Sequence, residues 1–223
     1  MGILGLPLFL GPRHWTHAYA RLWTGICMAL LRLISGLKFE IRGKPPTGAA
    51  LIAAKHQSAW ETLALEFILP SPAFVMKQTL LWAPPFGPYL WKAGMIAIDR
   101  NAGAQAIRLL VKGAASALNE NRPVVIFPEG TRRDPGAEPS YHTGIAAVYG
   151  GLAVPVIPVA LNSGMFWGRN TFAKRPGRII IEFLEPIEAG LDRRDFMAQL
   201  ENRIETATGA LIQEAKDQAR IVR

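Results

Sequence analysis

Along the first part of the chain, apolar positions recur every three or four residues. Trp15, Tyr19, Leu22, Ile26, Leu30, Leu33 and Leu37 fall within a helical sector of roughly 80°, with His14, His17, Arg21, Thr24 and Arg32 opposite. This spacing predicts an amphipathic helix that stops at Gly36. The period then changes to two, and Lys38–Arg42 (K-F-E-I-R) reads as a strand before the turn Lys44-Pro45-Pro46-Thr47-Gly48. Short apolar runs at 49–54, 73–76, 95–98, 124–127, 154–160 and 178–183 predict further strands. Between them, helices are predicted near 59–69, 102–120, 143–151 and 193–219. The last of these carries Phe196, Leu200, Ile204, Ala207, Leu211 and Ala215 on one stripe behind a candidate N-cap, Asp192, and reads as a structural cover for a sheet. Strands alternating with helices predict an α/β fold, a single-domain layered sheet flanked by helices on both faces. The expected boundaries are an N-terminal helical segment over 1–37 and the α/β domain over 38–223.

Composition narrows the function. Of the 223 residues 50% are hydrophobic and 19% charged, which excludes a disordered polar chain. A single cysteine, Cys27, excludes a disulfide framework and a multi-cysteine metal site. The net charge of +8 is uneven: residues 1–50 hold six basic residues and one acidic one. A bilayer crossing needs about 20 consecutive apolar residues. The uncharged runs Met1–Gly11 and Leu22–Leu31 are shorter, no signal-peptide pattern is present, and Leu6 stands where myristoylation wants Ser or Thr. The helix then has two readings: packed on its own domain's core, or lying in a membrane interface with Trp15, Tyr19 and Trp23 at headgroup depth. The added apolar surface of Met1–Gly11 and the basic excess beside it favour the second, with an anionic lipid surface as partner and no nucleic acid.

Four segments carry candidate chemistry. Lys55-His56-Gln57-Ser58-Ala59-Trp60-Glu61 lies where an apolar strand meets a helix, the edge at which open α/β sheets place ligands. A histidine there suits a general base and a carboxylate can orient it. Ser58-x-x-Glu61 is also a capping box, and the two roles are compatible. Phe127-Pro128-Glu129-Gly130-Thr131-Arg132-Arg133 follows another strand; its glycine permits close backbone approach and Arg132 offers a fork for phosphate or carboxylate. The strand Gly94–Ile98 ends in Asp99-Arg100, which reads either as a site element or as a surface ion pair. Val154-Pro155-Val156-Ile157-Pro158 has prolines suited to an edge or bulged strand. No nucleophile elbow, phosphate-binding P-loop, dinucleotide glycine fingerprint or metal-ligand spacing is present.

In this order and spacing the four segments resemble the 1-acylglycerol-3-phosphate acyltransferases, whose signatures are H-x-x-x-x-D, G-x-x-x-I-x-R, F-P-E-G-T-R and V-P-V-x-P. Here they read His56…Glu61, Gly94…Arg100, Phe127–Arg132 and Val154–Pro158. The resemblance implies a glycerolipid acyltransferase-like fold and acyl transfer, without a cofactor, from acyl-CoA or acyl carrier protein to the sn-2 hydroxyl of lysophosphatidic acid. His56 would be the base and Glu61 its orienting group. Arg100, Glu129, Gly130, Thr131 and Arg132 would bind substrate, and the enzyme would sit on the cytoplasmic face of a bacterial inner membrane. Two positions depart from the pattern. Glu61 replaces the usual aspartate, and Tyr141-His142-Thr143-Gly144 stands where the family often has a phenylalanine and paired lysines before a glycine. The second departure leaves open a related acceptor, such as lyso-ornithine lipid or lysocardiolipin.

Overall fold

The computed structural model describes residues 11–221, so the apolar run predicted over 1–11 lies outside the described residues except for Gly11. A seven-stranded sheet has the order β1-β7-β6-β2-β5-β3-β4. Its strands are β1 (Leu37–Arg42), β2 (Leu51–Ala54), β3 (Ala73–Lys77), β4 (Ile96–Ile98), β5 (Val124–Ile126), β6 (Val156–Leu161) and β7 (Gly177–Phe183). The helices are α1 (Arg13–Ser35), α2 (Trp60–Ile68), α3 (Phe86–Lys92), α4 (Gly103–Asn119), α5 (Gly144–Leu152) and α6 (Arg193–Ile221). β6, β2, β5, β3 and β4 run parallel, while β7 is antiparallel to β6 and pairs in parallel with β1.

Side-chain alternation along the central strands builds two cores. Leu51, Ala53, Val124 and Ile126 face α4, α5 and α6, meeting Leu110, Ile145, Val148, Phe196 and Leu200. Ile52, Ala54 and Val125 face the other way, onto Met28 of α1 and Trp60, Ala64 and Leu65 of α2. Burial on both faces explains why these strands read as continuous apolar runs. Asp192 caps α6 as expected, its carboxylate accepting the Arg194 and Asp195 N–H groups at 2.8 and 2.9 Å.

Two expectations need correction. β6 is an interior strand, not an edge. Its prolines are tolerated because Pro155 precedes the strand and because Pro158 faces an irregular stretch. There its carbonyl accepts the Leu184 N–H, between the Val156–Ile187 bridge and the β6–β7 ladder that begins at Val159. α3 was not predicted, since Pro85, Gly87 and Pro88 read as punctuation. Pro88 falls within the first turn, where a missing N–H breaks no intrahelical bond.

α1 is seated against the usual amphipathic rule. Gly36, at φ 64°, ends it as predicted. Thr16, His17, Thr24 and Met28 face the body of the protein, whereas Leu22 and Leu33 of the apolar stripe are 63% and 82% exposed, and Ile34 beside the stripe is 77% exposed. Trp15, Ile26 and Leu30 are exposed with them; Leu37 is buried because the chain has by then entered β1. No helix among the described residues is long and apolar enough to cross a membrane.

Candidate active site

Five parallel strands end at one edge of the sheet, and that edge gathers the candidate chemistry. His56 follows β2, Lys77 ends β3, Asp99-Arg100 follow β4, Phe127–Arg132 follow β5 and Ser163 follows β6. His56 Nδ1 lies 2.9 Å from Glu61 Oε1. A carboxylate accepts only, so Nδ1 carries a proton, and in the neutral ring the lone pair is on Nε2. The imidazole stacks on Phe127 at 4.1 Å and 19°, and Nε2 meets no hydrogen-bond partner among the described residues.

Glu61 is completely buried and receives four donors. Its Oε1 accepts His56 Nδ1–H and the N–H groups of Gln57 and Ser58, both at 2.6 Å; its Oε2 accepts the Ser163 hydroxyl at 2.8 Å. The capping and orienting roles therefore fall on the same oxygen. The extra methylene of glutamate folds the carboxylate back over its own first turn and still reaches the ring. Ser58 caps from one residue earlier than a strict box, its Oγ accepting the Trp60 N–H at 3.2 Å while Ala59 occupies the N-cap position.

The loop after β5 pins His56 from both sides of its peptide. Glu129 Oε2 accepts the His56 N–H at 3.0 Å, and the Arg133 N–H donates to the His56 carbonyl at 2.8 Å. Glu129, expected to bind substrate, is instead buried and outside the cleft lining, because its carboxylate is taken by His56 and by Lys55 Nζ at 2.9 Å. Gly130 has φ 64°, and a Cβ there would stand 2.8 Å from His142 and 3.1 Å from Arg100, so only glycine lets these side chains close in. Arg100 donates to the Gly130 carbonyl and not to Asp99, which caps Asn101 N–H at 3.0 Å; of the two readings of this segment, the surface ion pair does not form.

These groups open on a cleft of about 960 Å³. Its polar end holds His56, Lys77, Arg100, Gly130, Thr131, Arg132, His142 and Arg169. Its apolar end runs between α1, α2, β3 and α3 past Leu63, Phe74, Met76, Phe86, Leu90 and Met95. Lys77, Arg132 and Arg169 have no ion-pair partner among the described residues, leaving an anion-attracting mouth on an apolar channel. Sequence reasoning missed Lys77, Ser163 and Arg169. Lys77 was within reach, being a cation one residue past an apolar strand, as Arg100 is. Ser163 and Arg169 carry no local pattern and are brought in only by the fold.

An α/β sheet with a histidine–carboxylate pair at its carboxyl edge opens here on a cation-mouthed apolar cleft, and similarity to known proteins places the chain in a family. The family model described as Acyltransferase matches residues 37–162, and the chain belongs to that family. It is 34% identical to the 1-acyl-sn-glycerol-3-phosphate acyltransferase of Pseudomonas aeruginosa over 82% of this chain and 72% of that protein. The enzyme of the same name from Escherichia coli is 32% identical over 74% of this chain and 69% of its own length. The mouse alpha form is 31% identical over 72% of this chain, which spans 61% of that longer protein. The crystal structure of the 1-acyl-sn-glycerophosphate (LPA) acyltransferase of Thermotoga maritima shares the fold, with a TM-score of 0.72 at 18% identity over 89% of this chain and 80% of that one.

Proposed function

We propose that the protein transfers a fatty acyl group from an acyl thioester, on coenzyme A or acyl carrier protein, to the sn-2 hydroxyl of lysophosphatidic acid, giving phosphatidic acid. The observation that carries this reading is the open Nε2 of a glutamate-braced histidine between a cationic mouth and an apolar channel. His56 Nε2 takes the hydroxyl proton as the oxygen attacks the thioester carbonyl. The new C–O bond forms, the C–S bond breaks, and the proton passes from His56 to the departing thiolate. Glu61 holds the ring and stabilises its charged form. Lys77, Arg100 and Arg132 suit the acceptor's phosphate, and the apolar channel suits an acyl chain. No cofactor or metal enters this scheme.

The proposed working place is a membrane surface, the cytoplasmic face of a bacterial inner membrane. The exposed apolar side of α1 and the basic excess of residues 1–50 support it. Anionic lipid attracts each surface Lys or Arg by about 1 kcal/mol.

The test supplies purified protein with mass-tagged acyl-CoA or acyl carrier protein and a panel of lysolipids that includes lyso-ornithine lipid and lysocardiolipin. Lysophosphatidic acid is expected to be the preferred acceptor. Arg100→Ala and Arg132→Ala are expected to raise the acceptor KM more than they lower kcat. Transfer to no lysolipid, or preference for an acceptor without a phosphomonoester, would overturn the reading.

A further inference from the structure

We propose that Glu205, on the helix covering the opposite face of the sheet, is a positioning residue that ties the His56 turn to the loop carrying His142. The inference rests on the acyl-transfer reading above and assigns α6 a part in it, beyond its predicted role as a cover.

The path is continuous. Lys55 and His56 alternate at the end of β2, so their side chains leave on opposite faces: His56 toward Glu61 of α2, Lys55 toward α6. Lys55 is 2% exposed, and its Nζ sits between two carboxylates, Glu129 Oε1 at 2.9 Å and Glu205 Oε1 at 2.7 Å. Glu129 spends its second oxygen on the His56 N–H. The same Glu205 oxygen also accepts the Tyr141 hydroxyl at 2.8 Å. Tyr141 is followed by His142, which lines the cleft and whose N–H donates to the Pro128 carbonyl at 2.8 Å. One oxygen on α6 thus anchors both walls of the polar end, the base side through Lys55 and Glu129 and the His142 side through Tyr141. Burial and the Glu205 carboxylate push the Tyr141 hydroxyl far above its ordinary range, so it remains a donor at any working pH.

Burying Lys55 and Glu129 beside a half-buried Glu205 is costly, and replacing a whole buried charged group by well-packed apolar side chains often holds a fold equally well. What apolar groups lack is direction. With Glu205 removed, Lys55 turns wholly to Glu129 and Tyr141 loses its tether. A displacement of about 1 Å at a reacting group is worth on the order of a hundredfold in rate.

The experiment measures kcat, acceptor KM and melting temperature for wild type, Glu205→Leu, Glu205→Gln and Tyr141→Phe. Glu205→Leu is expected to lower kcat about tenfold or more, raise acceptor KM severalfold and lower the melting temperature by several degrees, since Lys55 and Tyr141 both lose an acceptor. Glu205→Gln, whose single carbonyl can still accept both donors, should recover most of the loss. Tyr141→Phe should raise acceptor KM with little change in kcat. Wild type without transfer activity would remove the acyl-transfer reading itself. An active wild type with Glu205→Leu inside twofold of it in both constants would overturn the positioning role. Should the leucine variant not fold, a Tyr141→Phe variant with unchanged acceptor KM overturns it instead.

Discussion

His56 and Glu61 meet at 2.9 Å beside the cleft, and His17 and Glu66 meet at 3.4 Å beneath α1. The residue types are the same and both pairs are largely buried, yet their surroundings assign them different work. His17 has both ring nitrogens engaged: Nδ1 faces Glu66, and Nε2 lies 3.0 Å from the Ala93 carbonyl and 3.3 Å from Arg122. Arg122 also donates to the Ser71 and Ala93 carbonyls at 2.9 and 2.8 Å, so this cluster fastens the polar side of α1 to the loops beneath it. His56 engages one nitrogen only, with its other open to the cleft. A histidine–carboxylate pair is therefore a candidate proton relay only when the far nitrogen is left free in a place a ligand can reach.

The largest expected effect tests that distinction directly. His56→Ala should lower acyl transfer a hundred- to ten-thousandfold, about 3–5 kcal/mol of barrier, with little change in melting temperature. His17→Ala should do the reverse, leaving transfer within severalfold while the protein melts earlier. Equal loss of activity in the two variants, at matched folded fractions, would erase the contrast between the pairs.

Glu61 offers the next test. Glu61→Gln keeps its shape but not its charge and should cost on the order of a hundredfold in kcat, the lower end of the general-base range. Glu61→Asp restores the aspartate usual in this family, on a backbone shaped for the longer side chain, and should still lose roughly tenfold. Full activity in the aspartate variant would show that the fold-back over the first turn is not what sets the ring.

On the structural side, Arg122→Met removes one partner from a buried charged cluster and should cost about 3 kcal/mol, roughly 6–12 °C in melting temperature for a chain of this size. Glu66 gives a smaller, pH-dependent effect. Desolvation raises its pKa above the ordinary 4.5, with His17 and Arg122 partly offsetting it. The folded state then holds a proton that the unfolded state gives up, so this group's contribution is complete below 4.5 and is lost as pH rises through the raised value. Glu66→Gln should flatten that decline in melting temperature against pH; an unchanged slope would mean the decline has another source.

The smallest effect concerns α1. Leu33→Glu with Ile34→Glu should weaken binding to anionic vesicles, and high salt should weaken it further without abolishing it. Binding that ignores both would leave the exposed apolar side of α1 without its proposed partner.

Much of this was legible in the chain itself. Period-two runs, period-3.6 stripes, Gly36 and Asp192 depend on neighbours in sequence, and β1, α1 and α6 appear where they predict. His56, Arg100 and Arg132 were legible because strand ends in a parallel sheet converge on one edge whatever the loops do. Elsewhere local pattern left alternatives open. The apolar stripe of α1 allowed an inward face or an outward, interfacial one and favoured the second; the helix packs through Thr16, His17 and Thr24, where His17 meets Glu66, Arg122 and the Ala93 carbonyl, and leaves much of the stripe exposed.

By itself, the sequence determined the alternation of strands and helices and the residues at the strand ends, because both follow from side-chain periodicity and backbone stereochemistry a few residues at a time. Only the tertiary structure decided that Ser163 would brace Glu61, that Glu129 would turn inward, that Glu205 would reach Lys55, and that one histidine would keep a ring nitrogen open to the cleft while the other had both engaged. Each of those outcomes joins groups from separate elements, and short-range hydrogen-bond and burial energies act only once the sheet has brought them within about 3 Å.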